Sequence, residues 1–138
     1  MPKSLELARV LVVDDELSSR LTLQTLLEAG GYCVDVAGSA AEAFSKLDEG
    51  QYELVLSEAE VDSPQAGLQV LSYARVKPYK PATALVTAYK EAKASRYPAG
   101  DEQQVSINTE NVSALLGQVA DLIGLRAALR AEGFAAGG

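Results

Sequence analysis

The chain has 138 residues, enough for one domain with a substantial hydrophobic core. Its 19 acidic and 12 basic residues give a net charge of −7, which opposes nonspecific binding to nucleic acid or to an anionic membrane surface. Histidine is absent, so triad hydrolysis and His-based metal chemistry are poor candidates.

Five short apolar runs, rich in β-branched residues, predict strands at Ala8–Val13, Tyr32–Ala37, Leu54–Ser57, Ala82–Thr87 and Val105–Ile107. The first run is apolar almost throughout, which is typical of a strand covered on both faces of a sheet. The last run, Val105–Ile107, gives the weakest strand prediction of the five.

Helical spacing of apolar residues predicts a helix after each strand. The first helix is expected to end at Gly30 and Gly31, because glycine tolerates the positive φ of a helix end. The second has Ser39 as its N-cap, and Glu42 completes a capping box. The predicted second to fifth helices lie at Ala40–Asp48, around Gly67–Leu71, at Tyr89–Tyr97 and at Val112–Ile123.

Strict alternation of strand and helix predicts a parallel sheet, because right-handed crossovers place helices on both faces. The expected fold class is therefore α/β, a single doubly wound five-stranded parallel sheet with five helices. The domain is expected over residues 1–124, followed by a C-terminal helical extension and frayed tail over residues 125–138. Ligands of such sheets bind beyond the carboxyl ends of the strands.

Acidic and polar residues occupy those carboxyl ends. Asp14 and Asp15 follow the first strand, and Glu58 follows the third. Thr87 ends the fourth strand, and Asn108 follows the fifth. We expect these side chains to converge at one edge of the sheet.

The pattern resembles the receiver domain of response regulators in two-component signalling. The resemblance covers about Leu7–Ile123 and implies the flavodoxin-like receiver fold and a signalling module, not an enzyme. The motifs that carry it are the run Val10–Phe44 around the paired acids, YELVLS before Glu58, GLQVL at Gly67–Leu71 and ALVTAY at Ala84–Tyr89.

The resemblance also implies roles for single residues. Asp14 and Asp15 match the paired acids that hold Mg²⁺, Asp15 being the direct ligand. Glu58 matches the phospho-acceptor position, and Glu60 would offer its backbone carbonyl to the ion. Thr87 matches the switch hydroxyl, which in the family binds the phosphoryl group together with a lysine.

Three positions depart from the family pattern. Glu58 stands where an aspartate accepts the phosphoryl group, and the loop after it is one residue longer than usual. The lysine is missing, its position being taken by Asn108 or, in a shifted register, by Val105. No Tyr or Phe lies between Asp101 and Glu110 to serve as the aromatic switch residue.

These departures predict slow or absent phosphorylation at Glu58. Glutamate is one methylene longer than aspartate, which displaces its oxygens by up to ~1.5 Å. A misplacement of ~1 Å can lower the rate around a hundredfold in a reaction that depends on the alignment of the reacting groups. Two other interpretations of Glu58 stay open: an imitation of the phosphorylated state, with one charge against about 1.5–2 for phosphate, or a solvated strand-end residue.

The acidic edge also predicts weak Mg²⁺ binding. Carboxylates ~5 Å apart without a fixed cation repel by roughly 3 kcal/mol per pair at an effective dielectric near 20. Either a divalent ion enters, or one acid keeps its proton through a raised pKa. Oxygen ligands favour Mg²⁺ or Ca²⁺ over zinc.

Several positions keep a plainer interpretation. One alternative is that the paired acids only cap the first helix, and another is that Thr87 is a simple β-branched strand residue. Asp62 and Ser57 are candidate substitute acceptors, and Lys90 and Lys93 are candidate substitutes for the missing cation. The single cysteine, Cys33, is expected to be a small buried filler.

The preferred interpretation is an atypical receiver, a phosphorylation-independent interaction module. It would dock a protein partner, either a histidine kinase or a downstream effector, through the face of its fourth helix, fifth strand and fifth helix. A homodimer is also considered; direct nucleic-acid or membrane binding is not expected.

Without a signal peptide or a membrane-length apolar run, a cytoplasmic location is expected. The alternative is a working phosphotransfer receiver, and a metal-dependent phosphatase ranks low because no suitable lysine is evident.

Overall fold

The computed structural model of the chain describes residues 8–58, 61, 63–88, 104–107 and 113–124. Within these residues all strands pair in parallel, in the order β2-β1-β3-β4-β5. This is the strand order of flavodoxin-like doubly wound sheets, and the predicted parallel sheet is confirmed. The strands are β1 (Arg9–Val13), β2 (Cys33–Ala37), β3 (Leu54–Ser57), β4 (Ala82–Ala88) and β5 (Gln104–Ile107).

The described part of the chain holds four helices. They are α1 (Leu17–Ala29), α2 (Ala40–Glu49), α3 (Ala66–Arg75) and a helix over residues 113–124, called helix 113–124 below. The predicted helix at Tyr89–Tyr97 and the predicted extension over residues 125–138 lie outside the described residues. No helix in the described ranges is both long enough and apolar enough to span a bilayer.

The sheet is covered on both faces, as the apolar first strand predicts. Successive side chains of a strand point to opposite faces. Val10 and Val12 therefore pack on one side, in a cluster with residues of α1 and helix 113–124, namely Leu23, Leu27, Leu115 and Val119. Leu11 and Val13 pack on the other side, in a cluster with residues of α2 and α3, namely Ala43, Leu47, Val70 and Leu71.

Helix α1 ends in a Schellman motif. Gly31 has a φ of 100°, in the left-handed region that favours glycine. Its N–H donates to the Glu28 carbonyl at 3.0 Å, and the Tyr32 N–H donates to the Leu27 carbonyl at 3.1 Å. The predicted glycine stop is confirmed, and of the two glycines it is Gly31 that takes the positive φ.

Helix α2 begins at the predicted N-cap. The Glu42 backbone N–H donates to Ser39 Oγ at 3.0 Å. The Glu42 carboxylate accepts from the Gly38 N–H at 2.9 Å, one residue earlier than in a standard capping box. The chain between β2 and α2 is therefore held by two hydrogen bonds to one glutamate.

A polar cluster joins β1, β2 and the residues just before β3. The Asp35 carboxylate of β2 accepts from the Tyr52 hydroxyl at 2.6 Å and from Arg9 Nη2 at 2.8 Å. These hydrogen bonds, the Tyr52 bond first, hold the pKa of Asp35 below its usual value. The cluster therefore contributes to stability while Asp35 is ionised.

The expectation that Cys33 is buried is wrong, because Cys33 is exposed. Strand β2 is an edge strand of the sheet. Cys33 is its first residue and pairs with Arg9, which is itself exposed. Among the described residues, neither helical layer buries this corner of the sheet.

Replacing Gly31 or Gly117 by alanine should change stability in opposite directions. Gly31→Ala forces a side chain into the left-handed region and should lower the free energy of unfolding by roughly 1–2 kcal/mol. A Cβ at Gly117 in helix 113–124 would meet nothing within 4 Å. Gly117→Ala should therefore raise the free energy by about 1 kcal/mol, the helix-propensity difference. Urea denaturation of both variants measures these changes, and a loss of stability in Gly117→Ala would contradict the prediction.

Candidate functional site

Strands β1, β2 and β3 end side by side at the carboxyl edge of the sheet. Val13 pairs with Ala37 on one side and with Ser57 on the other. The hydrogen-bond ladder continues one step further, since the Asp14 N–H donates to the Ala37 carbonyl and the Glu58 N–H to the Val13 carbonyl, both at 3.1 Å. Asp14 and Glu58 are thus the first residues beyond two neighbouring strands.

Asp14 is the most enclosed of the described acids at this edge, with only 5% of its surface exposed. Its Oδ1 accepts from the Glu16 N–H at 2.9 Å, in the turn before α1. Burial raises the pKa of Asp14, and so do the charges of Asp15 and Glu16, while the Glu16 N–H and the Arg20 charge act in the opposite direction. The sequence predicted that either a divalent ion enters this edge or one acid keeps its proton through a raised pKa. The raised pKa of Asp14 has the direction that the second outcome requires.

The interpretation of the paired acids as helix caps holds in part. The N-cap residue of α1 is Glu16, whose side chain makes no capping hydrogen bond. Asp14 instead binds the backbone N–H of that N-cap residue. The neighbouring Asp15 is exposed. Asp14 thus orders the turn before α1, whereas Asp15 is exposed at the carboxyl edge of the sheet.

Ser57 is fully buried beside Glu58. Its hydroxyl donates to the Glu58 backbone carbonyl at 2.9 Å, and 0% of its surface is exposed. A phosphoryl donor cannot approach a hydroxyl in that position. Glu58 is partly exposed, unlike Ser57.

The other predicted site residues lie at the margin of the described structure. Thr87 belongs to β4, where its backbone pairs with Ser106 of β5. Its strand continues past Leu85, the partner of Ser57, and so extends toward the same edge. Glu60, Asp62, Lys90, Lys93 and Asn108 lie outside the described residues.

No three histidine, cysteine, aspartate or glutamate side chains come together to hold a metal ion within the described ranges. The predicted Mg²⁺ ligands Asp14, Asp15, Glu58 and Glu60 therefore remain a prediction. What the described acids do show is the donor chemistry, carboxylate oxygens at the end of a buried strand, that suits Mg²⁺ better than zinc.

Arg20 is a component of this edge that the sequence analysis did not identify. It lies in the first turns of α1, and its Nη1 donates to the Asp14 backbone carbonyl at 3.0 Å. One indication of this role was present in the sequence. Arg20 comes six residues after Asp14, which places it one turn into the predicted helix and within reach of the end of β1.

Comparison with known proteins identifies the family. The sequence profile described as the response regulator receiver domain matches residues 10–99, more than half of the chain. The chain belongs to this family. The receiver is 31% identical over 98 residues to the transcriptional regulatory protein ResD of Bacillus subtilis, covering 70% of the chain and 40% of ResD. The chain thus spans less than half the length of that relative.

Solved structures agree with the receiver assignment. The response regulator TrrA of Thermotoga maritima, solved in complex with Mg²⁺-BeF, has 27% identity and a TM-score of 0.65, and the match covers 84% of this receiver and 99% of TrrA. TrrA in complex with the histidine kinase ThkA gives 31% identity, a TM-score of 0.67, and coverage of 84% and 98%. The function of the family, signal reception in two-component systems, is therefore the function class of this domain.

Removing the charge of Asp14 should stabilise the receiver. Asp14→Asn keeps an oxygen for the Glu16 N–H but relieves the burial and repulsion of the carboxylate, so we expect the free energy of unfolding to rise by about 1 kcal/mol at neutral pH in EDTA. A raised pKa means that the folded protein takes up the proton more readily. The advantage of the variant should therefore shrink as the pH falls through the folded pKa of Asp14.

Asp35→Asn is the matched control. It removes a carboxylate whose pKa is lowered by its hydrogen bonds, and after allowance for solvent exposure it should cost about 1 kcal/mol. Thermal denaturation across a pH series measures both variants. Destabilisation by Asp14→Asn at neutral pH would show that the ionised carboxylate is needed for folding.

Proposed function

We propose that this receiver is an atypical one, which acts as a protein-interaction module without being phosphorylated. The observation that carries the proposal is the position of Glu58. It extends β3 by one ladder hydrogen bond, directly beside the strand end that bears Asp14. That is where the family resemblance expects the phospho-accepting aspartate.

The length of the glutamate side chain argues against phosphoryl transfer. The Glu58 backbone is fixed by the Val13 carbonyl, so the extra methylene cannot be absorbed by a shift of the main chain without breaking the ladder. Its oxygens are then displaced by up to ~1.5 Å relative to those of an aspartate. Phosphoryl transfer depends mostly on positioning and charge stabilisation, which makes it sensitive to such a displacement.

A second requirement for phosphoryl transfer, a lysine after β5, is not met. The strand reads QVSI and is followed by Asn108, so the lysine that family members use to bind the phosphoryl oxygens has no counterpart there. A missing cation weakens electrostatic stabilisation of the transferred group. Both losses act on the same chemical step, and together they favour a receiver that signals by binding.

We further propose that the partner is a protein, either a histidine kinase or a downstream effector, bound through the face that includes β5 and helix 113–124. The relative TrrA was solved in complex with the histidine kinase ThkA, which gives the class of partner. On helix 113–124 the exposed side is small and weakly charged. Its exposed residues are Ser113, Ala114, Gly117, Gln118, Ala120, Asp121 and Gly124. Such a surface permits close approach of another backbone.

A working phosphotransfer receiver is the alternative function. It is favoured by the paired acids, which stand in the family context directly after β1. It would need an unusual route for the phosphoryl group, because Ser57 is buried and Glu58 is the wrong length.

Intact-mass measurement decides between the two functions. The protein is incubated with Mg²⁺ and acetyl phosphate or phosphoramidate, and we expect no gain of a phosphoryl group. Glu58→Asp restores the shorter acid, and partial phosphorylation of that variant would support the proposal. Glu53→Asp, at a partly buried glutamate before β3, is the matched control and should stay unmodified. A stoichiometric phosphoryl gain by the native protein would establish the alternative.

Weak Mg²⁺ binding is proposed through Asp14, Asp15, Glu58 and the Glu60 carbonyl. When bound, the ion would supply positive charge between the carboxylates. Isothermal titration should give a dissociation constant in the millimolar range, weakened further in Asp15→Asn. Asp121→Asn, which removes an exposed charge on helix 113–124, should leave the titration unchanged. Absence of heat at millimolar Mg²⁺ from folded protein would refute the metal site.

A further inference from the structure

The guanidinium of Arg20 occupies a defined place at the acidic edge. The Arg20 backbone N–H donates to the Glu16 carbonyl at 3.0 Å, which fixes the residue in the first turn of α1. From there its Nη1 reaches back to the Asp14 carbonyl at 3.0 Å. The side chain thus ties α1 to the end of β1 and brings a permanent positive charge to the acids.

Gly38 leaves the space that the guanidinium needs. A Cβ built on Gly38 would lie 2.8 Å from Arg20 Nη1, which is too close, so the end of the Arg20 side chain would have to move away. The Gly38 backbone itself does not require glycine, because its φ is outside the left-handed region. The missing side chain therefore serves the fit of Arg20.

The surface beneath Arg20 is held in place. The Gly38 N–H is bound by the Glu42 carboxylate at 2.9 Å, and the Glu42 N–H by Ser39 Oγ at 3.0 Å. The guanidinium therefore lies between the end of β1 and a fixed turn after β2.

The charges around this position are mostly negative. Asp14, Asp15 and Glu16 are three consecutive acids, and the Arg20 guanidinium lies 3.0 Å from the backbone carbonyl of the first of them. A divalent ion at the same edge would stabilise the same carboxylates. Two cations that neutralise one set of acids contribute less together than the sum of their separate effects.

We infer that Arg20, seated against Gly38, is a built-in counter-cation that keeps the acidic edge folded without a divalent ion. The edge therefore stays ordered at low Mg²⁺, and Mg²⁺ adds little to the stability of the native protein. This role concerns the apo edge and does not depend on whether Glu58 accepts a phosphoryl group.

The test compares thermal midpoints in EDTA and in millimolar MgCl₂. In EDTA, Arg20→Gln should lower the midpoint by about 3–5 °C. Gly38→Ala displaces the guanidinium without changing the net charge and should reproduce much of that loss. In both variants the rise in midpoint on adding MgCl₂ should exceed the rise in the native protein.

Two controls make the result specific. Lys46→Gln removes one positive charge from α2 and should keep the native response to MgCl₂. In an Arg20→Gln background, Gly38→Ala should cause little further loss, because the guanidinium is already gone. Fully additive losses in the double variant, or an unchanged response to MgCl₂ in Arg20→Gln, would overturn the inference. Phosphorylation of the native protein in the mass experiment would leave it standing.

Discussion

The parallel register of β1 with its two neighbours is the constraint on which the rest of the edge depends. Val13 faces Ala37 and Ser57 at the same level, so three strands end together. The next ladder hydrogen bonds then fix the backbones of Asp14 and Glu58. Once the main chain is fixed, the length of each acidic side chain decides where its oxygens lie. A difference of one methylene therefore carries functional weight here that it would not carry on a loop.

Burial of β1 imposes an electrostatic cost at its end. Asp14 follows the buried residues Val12 and Val13 directly and keeps only 5% of its surface exposed. The receiver offsets this with one backbone N–H and one guanidinium, both supplied by the β1–α1 connection and the start of α1. The buried acid and the two groups that offset its charge therefore lie within seven consecutive residues, Asp14 to Arg20.

Much of the fold could be predicted because central parallel strands have no polar face, and apolar runs such as LVLS at β3 are therefore unambiguous. The cap at Ser39 was equally readable, since it depends on residues three apart. Cys33 was misjudged because an edge strand, CVDVA, mixes apolar and polar residues in a way that does not reveal which end is covered.

The compensation at the acidic edge was harder to predict. An arginine on an amphipathic helix ordinarily indicates a solvated side chain. Nothing in one-dimensional spacing shows that Arg20 will meet Gly38, since their contact depends on where β2 ends relative to β1. The Tyr52–Asp35–Arg9 cluster escaped prediction for the same reason, because it joins residues that are far apart in the chain. Residues that follow strands could be assigned to the edge, and spacing placed Arg20 near the end of β1, whereas its contact with Gly38 could not be predicted.

The exposed position of Cys33 has a practical consequence. It is the only thiol in the chain, and it begins the edge strand whose far end lies beside the acids. Strand β2 separates the two by about 13 Å, at 3.3 Å for each of four steps. A maleimide dye or a surface tether attached there would mark every molecule once and in the same orientation. The acidic edge would remain open to ions and partners in single-molecule or immobilised binding assays.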